Sequence, residues 1–306
     1  MRIVVAGAGG VGGYFGARLA RAGEQVTVLA RGGHLDAIRA HGLRVRSRVD
    51  GDVSAPVEAT ADLRGHAVAD AVLFCVKSFD TDAAVEQIRP VVGPDTPVVS
   101  LQNGVDNEDR IDALLGAGHA VGGAAYVFAA IEAPGVIVHN FGGRIVFGEL
   151  DGRLTPRTER LRDALATAGV PVELTRAIRR VLWDKYLLIS AQAGMTALTR
   201  CPIGVIRATP ESWRMYRRIV EELAAVAAAA GVDLGPDGVE RVMKSAEAIA
   251  DGAYSSLHHD LTEGKRLELE ALHGHAVRLG ERLGVPVPTV SAVYAALKPH
   301  VAGRRG

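Results

Sequence analysis

The chain begins Met1-Arg2-Ile3-Val4-Val5-Ala6-Gly7-Ala8-Gly9-Gly10-Val11-Gly12-Gly13-Tyr14, a short β-rich run that passes at once into glycines and then into a helical pattern. That order gives each glycine a physical task. Gly7 permits a tight turn, Gly9 lets the backbone approach a pyrophosphate, and Gly12 permits a helix to pack closely on the strand. Gly10 completes the loop. The helix N-terminus then faces the negative charge, so the loop is expected to bind a dinucleotide.

The second strand of the pattern ends Leu29-Ala30-Arg31. Chains that bind NAD place an acidic residue there to accept the ribose hydroxyls, whereas a guanidinium suits a 2′-phosphate. Arg31 therefore favours NADPH over NADH, with a solvated surface arginine as the alternative. Lys77, in Phe74-Cys75-Val76-Lys77-Ser78, and Asn103, in Gln102-Asn103-Gly104, each follow an apolar strand. Ligands of open α/β sheets bind beyond such carboxyl ends. Lys77 suits cofactor phosphate or ribose oxygens. Asn103 offers a donor and an acceptor to nicotinamide or substrate, or else simply makes an Asn-Gly turn.

Working outward, β-rich runs at Ile3 to Ala6, Gln25 to Ala30, Ala71 to Val76 and Pro97 to Leu101 alternate with helical patterns, which predicts a parallel, doubly wound sheet. Leu43 to Ala59 reads as two extended runs joined at Asp50-Gly51, and Gly123 to Leu150 as antiparallel strands added to the same sheet. From about Arg176 the pattern is helical throughout. Its clearest helix carries Leu269, Leu272, Ala276, Leu279 and Leu283 and stops at Gly284. The expected fold is α/β: a Rossmann-type, doubly wound NADP-binding domain over residues 1–174 and an all-helical substrate and catalytic domain over 175–306.

Composition narrows the partners. The 306 residues are 48% hydrophobic, enough for a sizeable core, and 35 basic residues balance 35 acidic ones. No net field draws nucleic acid or a membrane surface, which leaves a small molecule as the expected partner. Two cysteines make no disulfide framework, and the amino terminus lacks the form of a signal peptide, so a soluble cytoplasmic protein is expected. No metal site is expected either. Adjacent His258 and His259 point about 100° apart on a helix, and no metal-ligand spacing recurs.

Catalytic candidates lie in the helical half. Lys185 shares a helix face with Val181, Leu188 and Gln192. Burial lowers an amine's pKa and a nearby carboxylate raises it, which suits a proton donor in carbonyl reduction; a snorkelling structural lysine is the alternative. Glu268, on the face of Leu272, His275 and Leu279, is its natural partner. Of Ser255 and Ser256, at a helix start, one hydroxyl is free to cap and the other to contact substrate.

Taken together, the glycine loop, Arg31-Gly-Gly-His34-Leu, Val76-Lys77-Ser, Gln102-Asn103-Gly104, Trp183-Asp-Lys185, Thr196-Ala-Leu and Ser255-Ser256-Leu-His-His-Asp260 followed by Gly264-Lys-Arg-Leu-Glu268 resemble the ketopantoate reductase family, the 2-dehydropantoate 2-reductases, over nearly the whole chain. The resemblance implies NADPH-dependent reduction of a 2-keto acid in a cleft between the two domains. By it, Lys185 would protonate the carbonyl oxygen, Asn103 would position substrate and cofactor, and Ser256 and Glu268 would hold substrate hydroxyl or carboxylate groups. It also allows a homodimer. Where family members carry asparagines in the substrate half, this chain has Ile189, Ala193 and Ala253. Those losses suggest a less polar pocket and keep two alternatives open: a reductase of another ketone or an imine, and a dinucleotide sensor without catalysis.

Overall fold

The structure, a computed structural model, describes residues 1–304. The described chain divides into two compact units, one of residues 1–102 and 107–178, the other of residues 103–106 and those from 179 onward.

The first unit contains, in chain order, β1 (Arg2–Ala6), α1 (Gly10–Arg21), β2 (Gln25–Leu29), α2 (Gly32–His41), β3 (Leu43–Ser47), β4 (Val53–Ala55), β5 (Glu58–Thr60), β6 (Ala71–Phe74), α3 (Thr81–Ile88), β7 (Val98–Ser100), α4 (Asn107–Leu115), β8 (Ala120–Ala133), β9 (Val136–Glu149), α5 (Pro156–Thr167) and β10 (Val172–Leu174). The strands form one sheet in the order β4-β3-β9-β8-β7-β6-β1-β2-β5, with β10 added beside β9. From β8 to β5 every pairing is parallel. The antiparallel pairs are β3 with β4 and β8 with β9.

Alternation along the strands builds two cores. Ile3 and Val5 of β1, with Ala71 and Leu73 of β6, face Phe15, Leu19 and Ile38 on one side of the sheet. Val4 and Ala6, with Val72 and Phe74, face Ala84, Val85, Ile88 and Ile111 on the other. Strands buried on both faces by helices read as continuous apolar runs, which is what these segments are. The doubly wound sheet expected from sequence is therefore the fold. One detail differs. Leu43 to Ala59 does not form a simple pair of strands, because the chain leaves β4 and places Glu58–Thr60 at the opposite edge, parallel to β2.

The second unit is helical: α6 (Ile178–Thr199), α7 (Ile203–Ala208), α8 (Pro210–Ala229), α9 (Gly238–Glu247), α10 (Ser256–Thr262), α11 (His275–Leu283) and α12 (Pro288–Leu297). Its core gathers Tyr186, Leu187, Ile219, Leu223, Leu269 and Val290. The helix expected to run as a regular α-helix through Leu269 and Leu283 opens instead with a π-helical turn at Glu270–Gly274, directly before α11. Gly284 ends α11 in the left-handed conformation, with φ 71°. No helix among the described residues is long and apolar enough to cross a membrane.

The first turn of α1 lies against backbone. A Cβ on Gly10 would stand 1.9 Å from the carbonyl oxygen of Ala129, and one on Gly12 would stand 2.1 Å from that of Gly7. Backbone cannot rotate away, so Gly10→Ala is expected to cost about 3 kcal/mol or more. Gly33→Ala meets nothing within 4 Å and serves as the control. Urea unfolding followed by circular dichroism checks the pair: the Gly10 variant should lose midpoint and the Gly33 variant should not.

Candidate active site

β6, β1 and β2 lie side by side, and Ala6 is in register with both Leu29 and Phe74. Because the three strands are parallel, their following loops start next to one another. These loops carry the glycines, Arg31 and Lys77. Arg31 is the residue before α2, 65% exposed, and its guanidinium stands 3.9 Å from Asp80. Asp80 closes the short turn Ser78–Asp80 that Lys77 precedes. Both cations therefore flank the glycine loop at the carboxyl edge of the sheet.

The glycines differ in what requires them. Gly7 has φ +100°, and Gly10 and Gly12 are forced by neighbouring backbone. Gly9 is forced by neither: its φ is −73° and a Cβ there would meet no protein atom within 4 Å. The space over Gly9, at the start of α1, is open in the way a pyrophosphate cradle must be. A dinucleotide thus fits the residues present.

His34, given no role from sequence, proves to organise this loop. Gly135 N–H donates to its Nδ1 at 3.0 Å, so Nε2 carries the proton and donates to the carbonyl of Ala8 at 2.8 Å. The imidazole is satisfied on both sides and pins the glycine loop to the β8–β9 turn. The signal was its place in Arg31-Gly-Gly-His34. Nothing local distinguishes such a histidine from a surface one.

Asn103, Lys185, Ser256 and Glu268 all belong to the second unit. The short segment 103–106 follows β7 in the chain yet packs with the helices. Asp106 pairs with Nδ1 of His275 at 3.3 Å, and its charge helps push the Tyr186 hydroxyl above its ordinary range, after burial, the larger cause. The Trp183-Asp-Lys185 motif spreads over three environments. Trp183 is buried edge-on against Tyr186, Asp184 accepts from Arg241 of α9 at 2.9 Å, and Lys185 is half-buried. Glu268 is buried, 6% exposed. Its carbonyl accepts the N–H of Leu272, whose own carbonyl takes the Tyr186 hydroxyl. The structure thus brings the segments bearing Asn103, Lys185 and Glu268 around Tyr186.

Ser256 sits beside a different stretch of α6. Ser255 is the cap of α10: its Oγ accepts His258 N–H at 3.0 Å and lies 2.7 Å from Thr196 Oγ1, which donates to the carbonyl of Gln192. Ser256 follows with its side chain exposed. From Lys185 to Thr196 the helix rises about 16 Å, so Ser256 stands three turns along from the lysine.

The family models match at both ends of this architecture. Residues 3–152 match ketopantoate reductase PanE/ApbA and residues 177–301 match its C-terminal region. The chain belongs to the ketopantoate reductase family. It is 32% identical to a 2-dehydropantoate 2-reductase of Mesorhizobium japonicum, covering 97% of each chain. It is 30% identical to an oxidoreductase of Bacillus subtilis, YkpB, described as uncharacterized, covering 99% of each. Among solved structures, a PanE/ApbA family ketopantoate reductase from Ralstonia eutropha superposes with a TM-score of 0.89 at 36% identity over 98% of each chain.

His273, within the π-helical turn, is fully buried, and burial lowers its pKa to about 4 despite a bond to the Ser190 carbonyl. The unfolded chain takes up a proton near the ordinary 6.5 that the folded chain refuses. Stability from this group is therefore full above pH 6.5 and is lost as pH falls toward 4, by about 3 kcal/mol in all. Urea unfolding of the wild type and of His273→Gln across that range should show the wild type losing stability more steeply.

Proposed function

We propose that this ketopantoate reductase family member reduces a 2-keto acid to a 2-hydroxy acid with NADPH, with 2-dehydropantoate as the substrate and pantoate as the product, a step of pantothenate biosynthesis. The observation that carries the reading is the gathering of Asn103, Lys185 and Glu268 in one unit. Bound NADPH supplies the hydride. Gly9 leaves room for its pyrophosphate, Arg31 supplies positive charge for the 2′-phosphate, and Lys77 meets cofactor phosphate or ribose oxygens.

Lys185 donates a proton to the carbonyl oxygen as negative charge develops on it, and the ammonium stabilises that charge before transfer. Glu268 orients the substrate and supports the charged form of Lys185. Asn103 positions substrate and cofactor, and Ser256 holds a substrate hydroxyl or carboxylate. We further propose that residues 1–174 are the NADP-binding domain and 175–306 the substrate and catalytic domain, in a cytoplasmic enzyme that works as a homodimer.

Two features bear on substrate choice in opposite directions. Ile189, Ala193 and Ala253 provide no amide groups and favour a less polar keto acid, or an imine, as a second reading. Gln192 lies two turns from Lys185 on the same face, is 8% exposed, and its Oε1 has no hydrogen-bond partner among the described residues. A buried acceptor without a donor costs about 1–3 kcal/mol, and a substrate hydroxyl is the donor it lacks. That supports a hydroxylated substrate.

Loss of NADPH absorbance across a panel of 2-keto acids and cyclic imines tests the substrate. Ketopantoate should turn over fastest; turnover of an apolar keto acid or imine alone would leave the reductase reading and remove pantoate. Lys185→Ala should lower kcat by roughly 10² to 10⁴ fold with NADPH binding kept; full retention of turnover would remove Lys185 as the proton donor, whereas NADPH binding with no turnover of any substrate by the wild type would point to a sensor. Gly9→Ala should leave the unfolding midpoint unchanged and weaken NADPH binding at least tenfold, read by protein fluorescence.

A further inference from the structure

The π-helical turn at Glu270–Gly274 has a visible cause. In an unbroken α-helix the carbonyl of Leu272 would take the N–H of Ala276. Here the Tyr186 hydroxyl donates to the Leu272 carbonyl and faces the backbone N–H of Ala276. A side chain of α6 has entered the gap in the other helix's hydrogen-bond ladder. In return His273, from within the turn, donates through Nε2 to the carbonyl of Ser190 on α6 at 3.0 Å. Gly194 makes the approach possible, since a Cβ there would stand 2.7 Å from that nitrogen. Tyr186 and His273 are 1% and 0% exposed.

The two bonds run in opposite directions and both end on backbone. They therefore fix the main chain of one segment against the other, not merely two side chains. Tyr186 is the residue after Lys185, and Leu272 lies one turn after Glu268. One extra residue in a helical turn rotates the residues before it by about 100° about the axis relative to those after it. Without the inserted hydroxyl the ladder is free to close from Leu272 to Ala276. Glu268 would then swing toward the face of Leu272, His275 and Leu279, the place an unbroken helix assigns to it.

We propose that Tyr186 and His273 are positioning residues, a reciprocal latch that holds the π-helical turn open and thereby aims Glu268 at Lys185. This rests on the reading that Lys185 and Glu268 act in the reduction. The Ser190 carbonyl can only accept, so Nε2 carries the proton, and burial keeps the imidazole neutral.

The test uses the full chain with NADPH bound. Tyr186→Phe removes the inserted hydroxyl and little volume, His273→Leu removes the reciprocal donor, and His273→Gln keeps an N–H near the position of Nε2. Expected are a fall in kcat of tenfold or more for Tyr186→Phe and His273→Leu, a shifted basic limb in their pH–kcat profiles, an unchanged KM for NADPH, and recovery to within about threefold in His273→Gln. Independently of activity, amide hydrogen exchange at Ala276 should change in Tyr186→Phe as the ladder closes. Unchanged exchange at Ala276, or variants that lose only thermal stability while kcat and its pH profile stay put, overturns the latch. Lys185→Ala is measured beside them: if it turns over normally, the catalytic reading falls, whatever Ala276 reports.

Discussion

The first turn of α1 is held between two backbones, and the sheet unit is arranged around that contact. On one side the Gly7 carbonyl lies where a side chain on Gly12 would be; on the other the Ala129 carbonyl lies where one on Gly10 would be. The second contact needs a bent hairpin. β8 and β9 supply the bend through register irregularities at Tyr126/Val127, Phe128/Ala129 and Ile131/Ala133, which curl the long ribbon. His34 then ties the turn of that ribbon to the Ala8 carbonyl. The aim of the helix N-terminus is thus set by main chain on two sides and by the His34 imidazole on a third.

The parts of the fold legible in the sequence are those whose determinants are local. Gly7 to Gly12 and the apolar runs at Ile3, Val26 and Ala71 act within a few residues, so the doubly wound sheet could be read directly. The helix start at Ser255 and Ser256 belongs to the same class, although which hydroxyl caps, that of Ser255, is settled only by the fold. The strand Glu58–Thr60 could not be read, because three residues carry almost no periodicity and their place depends on which sheet edge is open. The grouping of residues 103–106 with the helices was equally hidden. It is made by Asp106 meeting His275, a partner 169 positions away along the chain.

The misreading of the helix around Glu268 is more instructive. Leu269, Leu272, Ala276 and Leu279 repeat at three and four, and all are buried. A π-helical turn leaves such a pattern almost intact over so short a run while moving Glu268 around the axis. Hydrophobic periodicity reports which residues reach the core, and it is insensitive to one extra residue within a turn. Only the partner helix carries that information, in the hydroxyl of Tyr186.

This dependence couples the candidate site to the folding of its unit. A π-helical turn forfeits ladder hydrogen bonds, and an unmade buried bond costs about 1–3 kcal/mol. The Tyr186 hydroxyl replaces the missing bond only when α6 is docked beside the turn. His273 is paired at Nε2 only under the same condition, and its burial otherwise carries a penalty. Segment 268–276 therefore has no reason to hold its shape alone. It acquires that shape in the act of packing on α6, so the relative setting of Lys185 and Glu268 is fixed by the same contacts that complete the helical core.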